Sequence, residues 1–191
     1  MTYDDVLYHA AELAGRTRDK LPLGEAAMLR AFLAVYYRQA WRRAWWPESV
    51  VDPEKVTVTN RRFTKREGTA TEMGDIVGVY DRDPLATTLF TPLPFEERNG
   101  EVLVLDPAAE VYVEYQAPAP ELLGLTAAAL SATVIPRRFA AALALNAAGH
   151  LLQADLTTAA QGQSYLRMAD DALAEEQNSV VTPEHWIRVR S

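Results

Sequence analysis

The hydrophobic residues of both terminal regions recur every three to four positions, a spacing that predicts amphipathic helices. In the N-terminal region, Thr2 and Asp5 have the spacing of a capping box, in which each side chain bonds the backbone N–H of the other, and we place a helix over residues 3–14. A longer helix is predicted over 24–45. It must end before Pro47, because a proline disfavours helical angles in the residue that precedes it.

The C-terminal region contains a second pair of predicted helices. One covers residues 136–154 and begins at Pro136, since proline is favoured at the first position of a helix, and the other covers 157–177. The apolar positions indicate the sides that face the core, and we expect Leu143 and Ala169 to lie there. In the long N-terminal helix, the predicted apolar side consists of Met28, Phe32, Val35, Tyr36 and Gln39.

Between residues 50 and 116 the period of the pattern changes to two, which indicates strands. Asn99-Gly100 is a strong turn signal, and residues 106–109 are predicted to turn the chain so that the last two strands form a hairpin. Pro92 and Pro94 exclude a central strand just before Asn99, because proline donates no ladder hydrogen bond. The strand candidates cover residues 55–59, 75–80, 101–105 and 110–115. In the last strand, one side is predicted to carry Val111, Val113 and Tyr115 and the other Glu110, Tyr112 and Glu114.

This order of elements predicts an α+β fold. It is mainly α-helical, with N-terminal helices, a C-terminal helical hairpin, a small antiparallel β-sheet insertion over 50–116 and an extended C-terminal tail over 178–191. We interpret residues 1–177 as a single domain. The tail alternates apolar residues with arginines, and two interpretations stay open: it adds as an edge strand to a partner, or it folds back onto its own sheet. The tail residues predicted to bind a partner are Val180, Val181, Trp186, Ile187 and Val189.

Composition and charge narrow the function classes. The chain has 191 residues, of which 49% are apolar and 24% charged, as in folded globular proteins. The net charge is −7, with seven basic and thirteen acidic side chains in residues 51–118, so a protein that coats DNA through excess Lys and Arg is excluded. The absence of cysteine excludes thiol catalysis and cysteine zinc sites. No apolar run approaches the roughly 20 residues of a membrane span, and the acidic start is no signal peptide, so we expect assembly in the cytoplasm without a membrane partner.

The candidate chemical groups do not form a recognised catalytic pattern. Asp75, Asp81 and Asp83 offer Mg²⁺ or Ca²⁺ ligands, but the last two also fit a turn in which Asp side chains bond nearby backbone. We favour the turn, and we expect no catalytic residue, no metal and no cofactor. None of the histidines has metal-binding spacing, and the second one lies on an apolar helix side, where a core or interface position is expected. The histidines are His9, His150 and His185.

A cluster of aromatic and basic residues lies at the C-terminal end of the long N-terminal helix. Trp45 and Trp46 are predicted either to close the core there or to anchor a partner protein. Together with Trp41, they leave a base-stacking nucleic-acid surface as a further alternative. The arginines among them are expected to pair with acidic groups of the sheet or of a neighbouring subunit rather than with DNA. These arginines are Arg38, Arg42 and Arg43.

Three stretches of the chain together resemble the head–tail connector (adaptor) proteins of tailed bacteriophages, of the tail tubular protein A type. The first is the long N-terminal helix that ends in an aromatic pair, at residues 41–47 (WRRAWWP). The second is the acidic β region, which ends in residues 111–115 (VYVEY). The third is a proline-started helix at 135–152 (IPRRFAAALALNAAGHLL), followed by a helix that contains 165–173 (YLRMADDAL). The resemblance covers most of the chain before the tail, and the tail has no counterpart in it.

The resemblance implies a structural virion protein that is not an enzyme. Its copies would form a ring, usually of twelve, beneath the portal protein, joining head to tail and extending the channel for DNA ejection. The expected partners are its own copies, the portal and a downstream tail or stopper protein, while DNA passes through the lumen without specific binding. Alanine-rich helices suit close packing between subunits, and an acidic lumen repels phosphates. A head-closure (stopper) or tail-completion protein remains an alternative, and a metal-dependent enzyme is a further one.

Overall fold

The protein folds as two compact units that separate helices from strands. A computed structural model describes residues 1–66 and 72–180. The helical unit comprises Met1–Ala44 and Ala119–Val180, and the sheet unit lies within Trp45–Pro118. The α+β class, mainly helical with small antiparallel sheets, is as predicted. The β region predicted as an insertion into one domain therefore forms a unit of its own.

The helical unit contains five α-helices and one 3₁₀ turn at Arg18–Lys20. The capping box is present, since Asp5 N donates to Thr2 Oγ1 at 3.2 Å and Thr2 N donates to Asp5 Oδ2 at 2.9 Å. The four predicted helices are confirmed within two residues at each end, and a short fifth helix appears in a segment that the sequence pattern left unassigned. The helices are α1 (Tyr3–Leu13), α2 (Leu23–Arg43), α3 (Ala127–Ala132), α4 (Arg137–Gln153) and α5 (Ala159–Ser179).

Helix α4 is the centre of the helical unit. It packs against α1, α2 and α5, so it is buried on almost every side. It lies closest to α5 where Gly149 faces Gly162. A Cβ atom on Gly162 would lie 2.6 Å from the carbonyl oxygen of Gly149, so the two backbones touch there. Small residues thus allow the close approach, as the alanine-rich sequences of both helices indicated.

The side of α2 that faces the core differs from the predicted one. Met28 and Val35 are 39% and 50% exposed, whereas Tyr36 of the same predicted stripe is buried. The buried side centres on Leu29, Leu33, Tyr36, Tyr37, Ala40 and Trp41. Both sides of α2 are apolar in sequence, so periodicity alone could not choose between them. The contact with α4 buries the side that carries Tyr37 and Trp41, whose ring centroids lie 5.8 and 6.3 Å from that of Phe139.

The described residues of the sheet unit form two three-stranded antiparallel sheets, in the strand orders β1-β6-β3 and β2-β5-β4. Asn99 and Gly100 have φ of 53° and 81° and join β4 to β5, which confirms the predicted turn. The strands are β1 (Val50–Thr57), β2 (Arg62–Thr64), β3 (Ile76–Tyr80), β4 (Phe95–Arg98), β5 (Glu101–Val104) and β6 (Glu110–Gln116).

The predicted hairpin between the last two strands is wrong. β5 pairs with β2 and β4, while β6 is the central strand of the other sheet, between β1 and β3. Residues 105–109 therefore carry the chain from one sheet to the other. A turn signal is local, whereas strand partners are selected by the shared core, which is why the sequence pattern could not decide this pairing.

One hydrophobic cluster contains side chains from both sheets. Val111, Val113 and Tyr115 of β6 belong to it, and Glu110, Tyr112 and Glu114 alternate with them, as predicted for this strand. β4 begins directly after Pro94 and is an edge strand, in agreement with the exclusion of a central strand there. The other cluster members are Val56, Val58, Phe63, Met73, Ile76, Val79, Val102 and Val104.

Candidate interaction surface

The predicted partner-binding tail begins where α5 ends. Val180 is half-buried, and its backbone N–H donates to the carbonyl oxygen of Gln177 at 3.2 Å. α5 continues to Ser179, so the first residues of the predicted tail are helical. The remaining tail residues predicted to bind a partner lie outside the described part of the chain, and their role stays a prediction. They are Val181, Trp186, Ile187 and Val189.

The two tryptophans of the predicted aromatic anchor differ in exposure. Trp46 is fully buried, and its carbonyl oxygen accepts hydrogen bonds from Ser49 N at 2.8 Å and Ser49 Oγ at 2.9 Å. Ser49 Oγ in turn accepts from Gln116 Nε2 at 2.9 Å, so this turn is tied to the end of β6. Trp45 is half-buried. The burial of Trp46 supports the core-packing interpretation for that residue, whereas Trp45 retains exposed surface.

The arginines near the end of α2 pair within the helical unit. Arg38 bonds Glu121, and Arg43 Nη1 lies 3.5 Å from Asp170 Oδ1 on α5. Two of the three arginines thus bond acids of the helical unit, and not of the sheet as one interpretation predicted. Arg42 is exposed.

The outward side of α2 is an apolar surface that the described residues of the helical unit leave exposed. Between Gly24 and Val35 the exposed residues of this side are all apolar or glycine. Its members Gly24, Ala27, Met28, Ala31 and Val35 are exposed, and Phe32 is half-buried against His150 of α4. Contiguous apolar surface of this kind marks interaction sites in proteins. We call this set the α2 face. The spacing of apolar residues predicted part of it, namely Met28, Phe32 and Val35, as a side that faces the core.

Histidine and aspartate side chains have structural contacts. The ring of His150 stacks on Phe32 with centroids 4.7 Å apart, so it lies at the margin of the α2–α4 contact. Asp83 Oδ1 accepts from Leu85 N at 2.9 Å, as predicted for a local turn, whereas Asp81 Oδ1 accepts from Thr91 N at 2.5 Å, ten residues along the chain, rather than from nearby backbone. Among residues 1–66 and 72–180, no group of three His, Asp or Glu side chains is arranged to hold a metal ion.

The loop that follows β3 was not recognised from sequence as a surface feature. Its base is closed by Asp81 and Thr91, whose backbones pair through Asp81 N and Thr91 O at 3.1 Å. The Tyr80 and Phe90 rings meet edge to face at 5.4 Å and support that base. Leu85 and Leu89 are exposed at its tip. Asp81 and Asp83 predicted a turn here, but they did not indicate which leucines the loop would expose.

Comparisons with known proteins add no family assignment. No protein-family model matches the chain, and no curated protein matches it significantly. Among the described residues, no helix is both long and apolar enough to pass through a lipid bilayer.

Proposed function

We propose that this protein is a structural virion protein whose copies form a ring beneath the portal, joining the phage head to the tail and extending the DNA channel. The observation that carries the proposal is the α2 face. The opposite side of α2 packs on α4, whereas the exposed members of this face, which spans about three turns, have no cover among the described residues of the helical unit. Apolar area of this kind gains free energy when a second protein removes it from water.

The charge distribution is compatible with a channel for DNA. The sheet region, residues 51–118, holds seven basic and thirteen acidic side chains. A ring multiplies this charge by the number of copies, and a surface of one sign repels the phosphates of DNA rather than binding them. DNA can then slide past without being held, which is what ejection requires.

The test is assembly of the full chain. Mass photometry and negative-stain electron microscopy would be applied to the purified protein, alone and mixed with the portal protein encoded by the same genome. We expect rings, or ring-shaped complexes on the portal. A protein that stays monomeric in both conditions, and that is missing from purified virions by mass spectrometry, contradicts the proposal. Labelling the subunit in virions separates a connector from a stopper, because the two lie at different distances from the portal.

A further inference from the structure

The α2 face continues along the helix into a pair of arginines with regular spacing. Ala31, Val35, Arg38 and Arg42 follow one another at intervals of four, three and four residues. This is the spacing with which one helix presents a straight seam to another. Ala31, Val35 and Arg42 are exposed, and the Arg38 side chain is 41% exposed. The seam is thus apolar in its first half and carries two arginines in its second, of which Arg38 also bonds Glu121 of the same copy.

The outward side of α5 has a seam with the same spacing and the opposite charge. Ser164, Met168, Asp171 and Glu175 also follow at intervals of four, three and four residues. All four are exposed, Met168 to 49%. This seam has a small residue, Ser164, and an apolar one, Met168, in its first half and two acidic residues in its second.

We propose that α2 of one copy packs parallel against α5 of a second copy of this chain, with the two seams in register. Level by level, Ala31 then faces Ser164, Val35 faces Met168, Arg38 faces Asp171 and Arg42 faces Glu175. Each position on α5 follows its partner on α2 by 133 residues. The inference rests on the proposed self-assembly and names the two surfaces that perform it.

The arrangement of α2 and α5 within one copy supports a closed ring. Tyr36 Oη donates to Asp170 Oδ1 at 3.2 Å, and Gln177 Nε2 donates to the carbonyl oxygen of Arg43 at 3.4 Å. Both pairs are separated by 134 residues, so the two helices run parallel within a copy. Between copies the paired seam residues are separated by 133 residues, one fewer than the 134 within a copy. This difference corresponds to about 1.5 Å along a helix. A closed ring requires no net rise from copy to copy, so this small offset is closer to the geometry of a ring than to that of a steeply rising filament.

The two halves of the proposed contact between α2 and α5 contribute differently to association. Val35 and Met168 supply apolar burial beside two small side chains, which let the helices approach closely. Exposed ion pairs contribute little free energy each, so the two arginine–carboxylate pairs act mainly on specificity and register. They oppose an α2–α2 contact, because such a parallel pairing would bring arginine against arginine.

Cysteine cross-linking tests this geometry directly, because the natural chain has no cysteine. The double variant V35C/M168C, oxidised under assembly conditions with or without portal, is expected to give a ladder of covalent dimers, trimers and larger species on a non-reducing gel. Each single variant should stay monomeric on that gel. Dimers from V35C alone in equal yield would show α2 meeting α2 and overturn the inference. Assembled particles without any ladder from the double variant would also overturn it.

Charge reversal tests the register. R42E is expected to weaken association at least about tenfold, because it places Glu opposite Glu175, and R42E/E175R should restore most of the loss. R30E is the matched control, since Arg30 is an exposed arginine of the same helix outside the seam. Rings that tolerate R42E as well as R30E overturn this inference and leave the proposed function intact. Failure of the unmodified protein to associate at all overturns both.

Discussion

At the scale of single residues, three buried tyrosines link the stability of the fold to alkaline pH. Burial raises the pKa of Tyr3 to about 12. Burial also raises the pKa of Tyr36 and Tyr80 above the usual value, and the carboxylates of Asp170 and Glu114 beside them add to the effect. Each phenol stays protonated in the folded state at a pH where the unfolded chain already loses its proton.

We therefore predict that the free energy of unfolding falls as pH rises above about 10, the usual pKa of tyrosine. The unfolded state binds fewer protons there, so each such tyrosine lowers stability by about 1.4 kcal/mol per pH unit until its folded-state pKa is reached. Urea titrations between pH 9 and pH 11.5 measure this slope. Y3F removes one titrating group and only a long 3.5 Å hydrogen bond to the carbonyl oxygen of Arg30, so it should make the slope shallower. An unchanged slope in Y3F would contradict the assignment.

At the scale of elements, the helical hairpin of α4 and α5 depends on an apolar contact without gaps. Leu143 is 1% exposed and Ala169 is fully buried, as sequence analysis predicted for both. L143D and A169D each place a carboxylate there without a partner, and we expect a loss of at least about 3 kcal/mol or an unfolded protein. Q163D is the control, because Gln163 is exposed on α5. Thermal melts in which both core variants match Q163D would mean that these helix sides do not form the core.

The contact of Gly149 with Gly162 gives a second prediction for the same hairpin. Alanine normally stabilises a helix relative to glycine by up to about 1 kcal/mol. In G162A, however, the new methyl group meets the carbonyl oxygen of Gly149, so we expect a net loss of about 1–3 kcal/mol. G24A is the matched control, because nothing lies within 4 Å of the added methyl group there. Equal or higher stability of G162A in chemical denaturation would show that α4 and α5 can move apart to admit the methyl group with no loss of free energy of unfolding.

At the scale of the whole molecule, the tail is predicted to serve association rather than folding. The residues to delete are 181–191, because α5 extends to Ser179 and Gln177 bonds α2. Among residues 1–66 and 72–180, both units already have cores of buried apolar side chains, so the shortened chain should keep its circular dichroism spectrum and melting temperature. Its binding to the ring or portal in mass photometry should weaken. Global unfolding would show that the tail is part of a core.

The sequence by itself determined the local elements. Caps, prolines and the periods of 3.6 and 2 act within a few residues, so they located the four long helices, the Asn99-Gly100 turn and the alternating sides of β6. It also identified Met28, Phe32 and Val35 as one apolar stripe on α2. Part of the α2 face could therefore be identified from the sequence as apolar, although its exposure to solvent could not.

Only the tertiary structure decided which apolar side of α2 would be buried and which strand would pair with β5. Both outcomes depend on partners far away in the chain: the aromatic ring of Phe139 for α2, and strands β2 and β4 for β5. The sequence pattern shows that a helix side is apolar, but it does not show which element packs against that side. Burial requires a contacting partner, and that partner is known only from the tertiary structure. The stripe that the helical unit leaves uncovered could be recognised as an interaction surface only after α4 had taken the opposite side.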